Sequence, residues 1–499
     1  MMALWLSIFA CASPVEEEQD SATETPEAFA LGPVRACPNP GALSFNEAST
    51  ALGFQGPEVE PEFRGEGGGT LLTDLNSDGH LDLIYGLEQE SWLHWGAGPA
   101  AFEPAIALPF AGGFALSPGG ATKVLFAIER LAELDFSGED LGYVELIAPV
   151  EGIVRAPSVA DFDGDGLADL YVGMGHPELD DQRRDQVFWG RSDGYEQVPA
   201  DVSASAPGGE AFDSVVLDFD QDGWTDLYVV NDRGPERGPN RLYRGSSQGL
   251  TLVQDCGACS LAHSAMGVDA ADVNGDGWVD LFIAATTENE LLFGGPEGRF
   301  VQAPPVGQTA FPRESMGWGG VVEDVDNDGR PDLWVGAGDQ SYEGGGGSFG
   351  LPEAPFLQLQ QADGSFVNVA PELGLDLIGS WRTTVAHDLN QDGVLDLFLS
   401  SAIEAPKLWL SEGCTAAGWL EVAAPVMSRV EVHTAGQVQV AWVSNESSFQ
   451  SVKPAVAHFG LGQAEVVERV IVELPLGGGR FEILDVDPRR RLTLEAPPG

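Results

Sequence analysis

A chain of 499 residues with 78 acidic against 24 basic side chains carries a formal charge of −54. Such a surface repels polyanions, which excludes nucleic acid and anionic lipid headgroups as partners and suits cations or basic surfaces. A hydrophobic content of 43 % is ordinary for a folded protein, so the length implies more than one domain rather than a disordered chain.

The first residues, Met1 to about Glu16, read as an export signal, because the apolar run Ala3 to Ala10 is too short to span a bilayer and an acidic stretch follows it. Ile8-Phe9-Ala10-Cys11 resembles a bacterial lipobox. Two destinations follow from this start: a lipoprotein anchored through Cys11 at an outer membrane or cell surface, or a simply secreted protein. The expectation is a signal over residues 1–11 and a disordered acidic tether over 12–36.

One decapeptide, D-x-[DN]-x-D-G-x-x-D-L, then starts at Asp74, Asp161, Asp218, Asp272, Asp324 and Asp388. Side-chain oxygens at positions one, three, five and nine, with glycine at six where the backbone must turn, form the cage a hard cation such as Ca2+ requires. Position seven adds a backbone carbonyl. The ligand sets are Asp74, Asn76, Asp78, Asp82 and the His80 carbonyl; Asp161, Asp163, Asp165, Asp169 and the Leu167 carbonyl; Asp218, Asp220, Asp222, Asp226 and the Trp224 carbonyl. Further along they are Asp272, Asn274, Asp276, Asp280 and the Trp278 carbonyl; Asp324, Asp326, Asp328, Asp332 and the Arg330 carbonyl; Asp388, Asn390, Asp392, Asp396 and the Val394 carbonyl. About six Ca2+ ions are expected, held more weakly where Asn replaces Asp at position three.

An EF-hand would need a bidentate Glu at position twelve and flanking helices, but that position holds Tyr85, Val172, Val229, Ile283, Val335 or Leu399. Short β-prone runs flank each loop instead, such as Ser214-Val215-Val216-Leu217 and Leu227-Tyr228-Val229-Val230, so each loop is the tip of a hairpin. Motif starts lie 87, 57, 54, 52 and 64 residues apart. The long first interval holds β-prone sequence between Ala105 and Val150, read as a shortened unit without metal; Asp135-Phe136-Ser137-Gly138 there is a motif remnant or an ordinary turn. A second hairpin follows most motifs, as in Arg241 to Arg244 and Gly249 to Leu252. Four short strands per unit of about fifty residues is the blade of a β-propeller.

These loops, preceded by phrases such as Ala265-Met266-Gly267-Val268 and Ser315-Met316-Gly317-Trp318, resemble the FG-GAP/VCBS repeats of integrin-α-like propellers, over residues 43–411. From Thr415 the composition shifts to ten acidic and seven basic residues with no metal motif. Strand-like stretches there, with Ala457-His458-Phe459-Gly460-Leu461-Gly462 between them, resemble the ASPIC/UnbV domain of the cartilage acidic protein family. Leu474-Pro475-Leu476-Gly477 stands where that family has Trp-Pro-Ser-Gly. The resemblance implies an all-β chain: a seven-bladed propeller over 37–414 with calcium-binding hairpin loops, then a small C-terminal β-domain over 415–499.

No catalytic constellation is visible: the motif carboxylates are committed to ions, the seven His are scattered, and no nucleophile motif stands in context. His458 is expected as a buried hydrogen-bonding residue. The insertions His176–Arg191, Asn231–Asn240 and Gly338–Gly350 are candidate recognition loops, with Arg183, Arg184, Arg191, Arg233, Arg237, Trp189 and Tyr342 among them. The expected role is a monomeric, exported binding or adhesion module for a protein or glycan; the alternative is a secreted enzyme acting on an extracellular polymer.

In an oxidising compartment, Cys256 and Cys259 are expected to pair locally. The last repeat lacks a fourth strand, while Leu43-Ser44-Phe45-Asn46-Glu47 resembles the fourth strand of the repeat before it, Ser365 to Val369. The N-terminal strand is therefore expected to complete the last blade, since an open edge is a liability, which would bring Cys37 beside Cys414 in a disulfide. For the metal loops, Asp222→Ala should lower the bound metal by about one ion per chain in elemental analysis while the far-ultraviolet circular dichroism stays unchanged.

Overall fold

The computed structural model describes residues 28–37, 40–54, 68–86, 91–108, 114–116, 123–127, 130–135, 142–147, 153–175, 185–192, 194–199, 209–286, 289–296, 298–303, 315–338, 352–401, 404–412 and 414–495. Between 109 and 154 only the backbone is described. Expectations for the signal, Cys11, Arg183, Arg184 and Tyr342 lie outside these residues.

Every motif loop joins two antiparallel strands, as its flanking β-prone runs require. The Asp218 loop, for example, joins Ala211–Leu217 to Asp226–Asn231, and Arg241–Arg244 and Thr251–Leu252 follow in sequential order. The second strand of each unit reads as an unbroken apolar run, and Asp226–Asn231 is buried along its whole length. A strand covered on both faces has this pattern, and here neighbouring sheets cover it. Sheets of the same sequential order surround the Asp161, Asp272 and Asp324 loops. Successive sheets meet through their first strands, and Thr70 Oγ1 bonds Thr383 Oγ1 at 2.8 Å, which sets the Asp74 sheet beside the Asp388 sheet.

Between Asp74 and Asp161 a further four-stranded sheet comprises Phe114–Leu116, Lys123–Ala127, Arg130–Asp135 and Gly142–Ile147. Asp135 ends a strand there and pairs with Gly142, while Phe136, Ser137 and Gly138 lie outside the described residues.

The Asp388 sheet is completed by Phe45–Glu47 from the N-terminal side, which pairs antiparallel with Lys407–Ser411. Cys37 and Cys414 form a disulfide with Cα atoms 5.7 Å apart, and Cys256 pairs with Cys259.

The C-terminal residues form two sheets around one core. Arg429–Thr434, Gln437–Trp442, Val467–Leu474 and Gly479–Val486 make the first; Gly418–Ala423, Val456–Gly462 and Arg490–Leu494 belong to the second. The fourth strand of that second sheet is Phe29–Leu31, from the stretch expected to be a disordered tether. The difference has a tertiary cause: Phe29, 7 % exposed, enters the core beside Leu492 and Leu494, and the strand covers an otherwise open edge.

This domain does more than follow the propeller. Its hairpin Glu446–Ser447 and Ser451–Val452 joins the Asp74 sheet, with Val452 paired parallel to Leu71. Glu446 accepts from the Ser158 hydroxyl at 2.8 Å and the Val216 N–H at 2.7 Å. Further in, the Ser448 hydroxyl accepts from the Gly320 N–H at 2.6 Å, and the Ser447 hydroxyl donates to the Thr384 carbonyl at 2.9 Å. At the tip, the N–H groups of Phe449 and Gln450 donate to Asp213 at 2.8 and 3.1 Å. Phe449 is 0 % exposed and packs with Phe212, Met266, Met316 and Trp318.

The hairpin thus touches the first strand of each motif-bearing sheet and fills the axis they surround. Phe449 has φ 54°, a left-handed conformation that costs about 1–2 kcal/mol for a residue with a Cβ, and its burial offsets that cost. Gly267 and Gly319 make room: a Cβ on either would meet a backbone carbonyl at 2.3 or 2.5 Å, with the Ser448 hydroxyl close behind. Phe449→Ala should destabilise the whole chain by about 3–5 kcal/mol, read as a lower midpoint in denaturant unfolding.

Candidate metal centres

All six loops repeat one hydrogen-bond scheme. The position-one Asp accepts the N–H groups of positions five and six: in the Asp324 loop, Asp328 and Gly329 donate to it at 3.0 and 2.7 Å. Gly329 has φ 90°, a conformation glycine adopts without the penalty of a Cβ. The position-five Asp accepts the N–H of position seven, as Asp222 does from Trp224 at 2.9 Å.

The position-nine Asp has a second task. Its Oδ2 accepts the N–H of position two, and its Oδ1 accepts an N–H from the end of the repeat's third strand or from the one or two residues after it. The latter bonds run from Gly96, Gly190, Gly245, Gly294, Gln360 and Ser411 at 2.6 to 2.8 Å. The four glycines are required there, because a Cβ would lie 2.1 to 2.5 Å from the carbonyl of motif position eight. Sequence reading missed this partner; a glycine recurring 14 to 21 residues after the ninth-position Asp is the signal that could have found it.

The carboxylates of positions one, three and nine converge. Asp161, Asp163 and Asp169 bring oxygens within 4.8 Å of one another, as do Asp218, Asp220 and Asp226, and Asp324, Asp326 and Asp332. In the Asp74, Asp272 and Asp388 loops, position three is Asn76, Asn274 or Asn390, and the amide of each is turned onto a motif carboxylate: Asp78 at 3.0 Å, Asp276 at 3.0 Å and Asp396 at 3.3 Å. The Asp388 loop differs further, because the Ser411 hydroxyl lies 3.0 to 3.3 Å from Asp392, Asp396 and the Val394 carbonyl.

Burial and crowding push these groups upward. Burial raises Asp169 to about 7, Asp280 to about 8 and Asp388 to about 8, and like-charged neighbours add to each shift. Asp226 and Asp332 are also raised well above the ordinary carboxylate value, mainly by burial. Clustered hard oxygens whose charged state is disfavoured suit a divalent cation, which would neutralise them. Arginines already neutralise part of the charge: Arg191 lies 3.6 Å from Asp165, and Arg244 and Arg330 pair with Asp220 and Asp328. Arg191 and Trp189, expected in a recognition loop, belong instead to the strand Gln186–Arg191.

The loop end of the propeller carries the C-terminal domain. The Leu476 N–H donates to the Gly223 carbonyl at 3.0 Å, and the Gly462 N–H to the Asn327 carbonyl at 2.9 Å. His458 Nε2 lies 2.6 Å from Asn327 Oδ1, so His458 is a buried hydrogen-bonding residue. A Cβ on Gly460 would come 1.9 Å from Asp324 Oδ2, which is why glycine stands there.

At the opposite end, where the first strands begin, a second charged group lies outside the motifs. The Glu210 carbonyl accepts the Asp232 N–H at 2.8 Å, and Arg237 Nε is 4.0 Å from Glu210 Oε2. Arg155 stacks 4.1 Å from the Phe212 ring centroid. Burial raises Glu210, and the Asp232 charge raises it further. Arg233 and Arg237 sit in and beside a four-residue helix, Gly234–Arg237, within the Asn231–Asn240 insertion.

Raised carboxylates fix the sign of a pH test. A group with a higher pKa folded than unfolded supports the fold below its unfolded value, near 4, and that support is lost as pH rises through the folded value. Metal-free protein should therefore melt progressively lower from about pH 4 to pH 8, the window set by Asp169, Asp280 and Asp388. Saturating Ca2+ should raise the melting temperature most at the alkaline end, and equal melting curves with Ca2+ and with chelator would contradict the metal reading.

Comparisons place this geometry. Residues 161–229, 218–283 and 272–335 match the FG-GAP-like repeat, each match running from one motif loop through the next motif hairpin, and residues 426–499 match ASPIC and UnbV. No curated protein matches the chain. Among solved structures, an Agrocybe aegerita lectin specific for non-reducing terminal N-acetylglucosamine is 12 % identical, over 79 % of this chain and 99 % of its own, with TM-score 0.36. A functionally unknown Desulfotomaculum acetoxidans protein is 9 % identical over 67 % and 99 %, with TM-score 0.39. A Xanthomonas campestris gluconolactonase is 12 % identical over 77 % and 99 %, with TM-score 0.36. The chain carries FG-GAP-like repeats, with acidic loops that could hold Ca2+, and a C-terminal ASPIC/UnbV domain.

Proposed function

We propose that this chain is an exported binding module: a seven-bladed propeller stapled by about six Ca2+ ions, lipid-anchored through Cys11 or secreted, acting as a monomer on a protein or glycan outside the cell. One observation carries the reading. The axis of a propeller is the concavity all its blades share, and here the chain's own hairpin fills it, with Phe449 fully buried at its tip. A small substrate has no seat there, so recognition falls to the rims and the grooves between blades. The motif carboxylates are held by loop N–H groups, which suits staples rather than acids and bases.

The acidic and basic group around Glu210 and Asp232 favours one other reading, an enzyme acting on an extracellular polymer at the end opposite the metal loops. Burial holds both carboxyls above the ordinary range, as a general acid requires.

The deciding experiment incubates the calcium-loaded full chain with intact cells and with extracellular polysaccharides, following both retention and product release. Saturable retention lost in chelator, with no products released, is the expected result. Release of soluble fragments that stops in Glu210→Gln would transfer the proposal to the enzyme.

A further inference from the structure

A cavity of about 980 Å3 lies between the Asp272 and Asp324 sheets, with the C-terminal strand Gln437–Trp442 along one side. Five glutamines line it: Gln302, Gln360, Gln361, Gln437 and Gln439. Each has its amide nitrogen tied down. Gln302 donates to Glu290 at 2.6 Å, Gln360 to the Val273 carbonyl at 3.0 Å, and Gln361 to the Leu359 carbonyl at 3.0 Å. Gln437 and Gln439 donate to the carbonyls of Gly329 and Gly460 at 3.4 and 2.8 Å. A carbonyl or carboxylate partner can only accept, so these bonds fix which end of each amide is the NH2 group. The amide oxygens remain as acceptors along the walls.

Among the described residues, the charges at the cavity are already answered. Lys453 pairs with Glu323, Arg330 pairs with Asp328, and Glu290 takes the Gln302 amide with His263 Nδ1 3.9 Å away. Asp272 and Asp324 hold loop N–H groups and belong to the metal loops. Phe366, 8 % exposed, Leu291, 9 % exposed, and Val438, 49 % exposed, supply apolar surface between the amides. Acceptor oxygens spaced along an apolar wall match a ring with hydroxyl donors on its edge and C–H groups on its face. The volume is of the order that holds a bound small ligand.

We infer that this interdomain cleft binds a neutral saccharide through the oxygens of Gln360, Gln361, Gln437 and Gln439. The inference rests on the binding-module reading and gives it a place. Because the strand Gln437–Trp442 forms one wall, the site exists only while the C-terminal domain is docked, and the ligand bridges the two domains.

The test is calorimetric titration of the calcium-loaded full chain with short neutral oligosaccharides from cellulose, chitin, mannan and xylan, with spermidine as a cationic control. Saturable binding of at least one neutral oligosaccharide is expected. The double variant Gln361→Leu/Gln437→Leu and, separately, Val438→Trp should weaken it by about tenfold or more with the melting temperature unchanged. Absence of oligosaccharide binding, binding undiminished in both variants, or binding of spermidine alone would each overturn the inference. Retention on cells that persists in Val438→Trp would show that the cleft assignment had failed while the binding-module reading stood.

Discussion

Filling the propeller axis is the constraint on which the other contacts depend. First strands arranged around an axis leave a channel, and a channel lined by Phe212, Met266, Met316 and Trp318 exposes apolar surface unless something enters it. The hairpin centred on Phe449 enters from the metal-loop end and reaches the opposite end of the first strands. Two buried carboxyls take part in its hydrogen bonds, Asp213 of the ring and Glu446 of the hairpin itself, pushed up to about 7 and about 8 by burial. These groups are held by backbone N–H and hydroxyl donors, so the wedge is specific as well as apolar.

The metal loops meet two demands at once. Each ninth-position Asp ties its own loop to the end of the third strand of its repeat or to the residues just after it, and together the loops form the platform on which the C-terminal domain rests. Gly460 beside Asp324 and Trp419 against Gly393 show how close that approach is. Charge at the loops and docking of the second domain therefore share atoms. A cation that neutralised these carboxylates would also steady the surface beneath Asn327, His458 and Gly462.

Much of this was legible in the residues. The motif spacing gave the hairpins and the repeats, and the missing fourth strand of the last repeat pointed to Phe45–Glu47 and to the Cys37–Cys414 bridge. Other features were hidden because they depend on contacts distant in sequence. Phe29–Leu31 sits in an acidic, low-complexity setting and becomes a strand only because Arg490–Leu494 offers it an edge. Nothing local marks Glu446 to Val452 as an axial wedge, since its polar groups find their partners on five separate strands. The cleft glutamines were likewise invisible, being drawn from both domains.

Two segments far apart in sequence, Phe29–Leu31 and Arg490–Leu494, clasp each other, and this governs the order in which the molecule can be made. Phe29–Leu31 is synthesised more than four hundred residues before its partner Arg490–Leu494, and the axial hairpin follows every blade. Blades can form locally as they emerge, but the ring stays uncored until Glu446–Val452 is made, and Phe29–Leu31 stays unpaired until Arg490–Leu494 follows. The bridge from Cys37 to Cys414 involves neither of these late segments, so the ring can be closed covalently before it is cored.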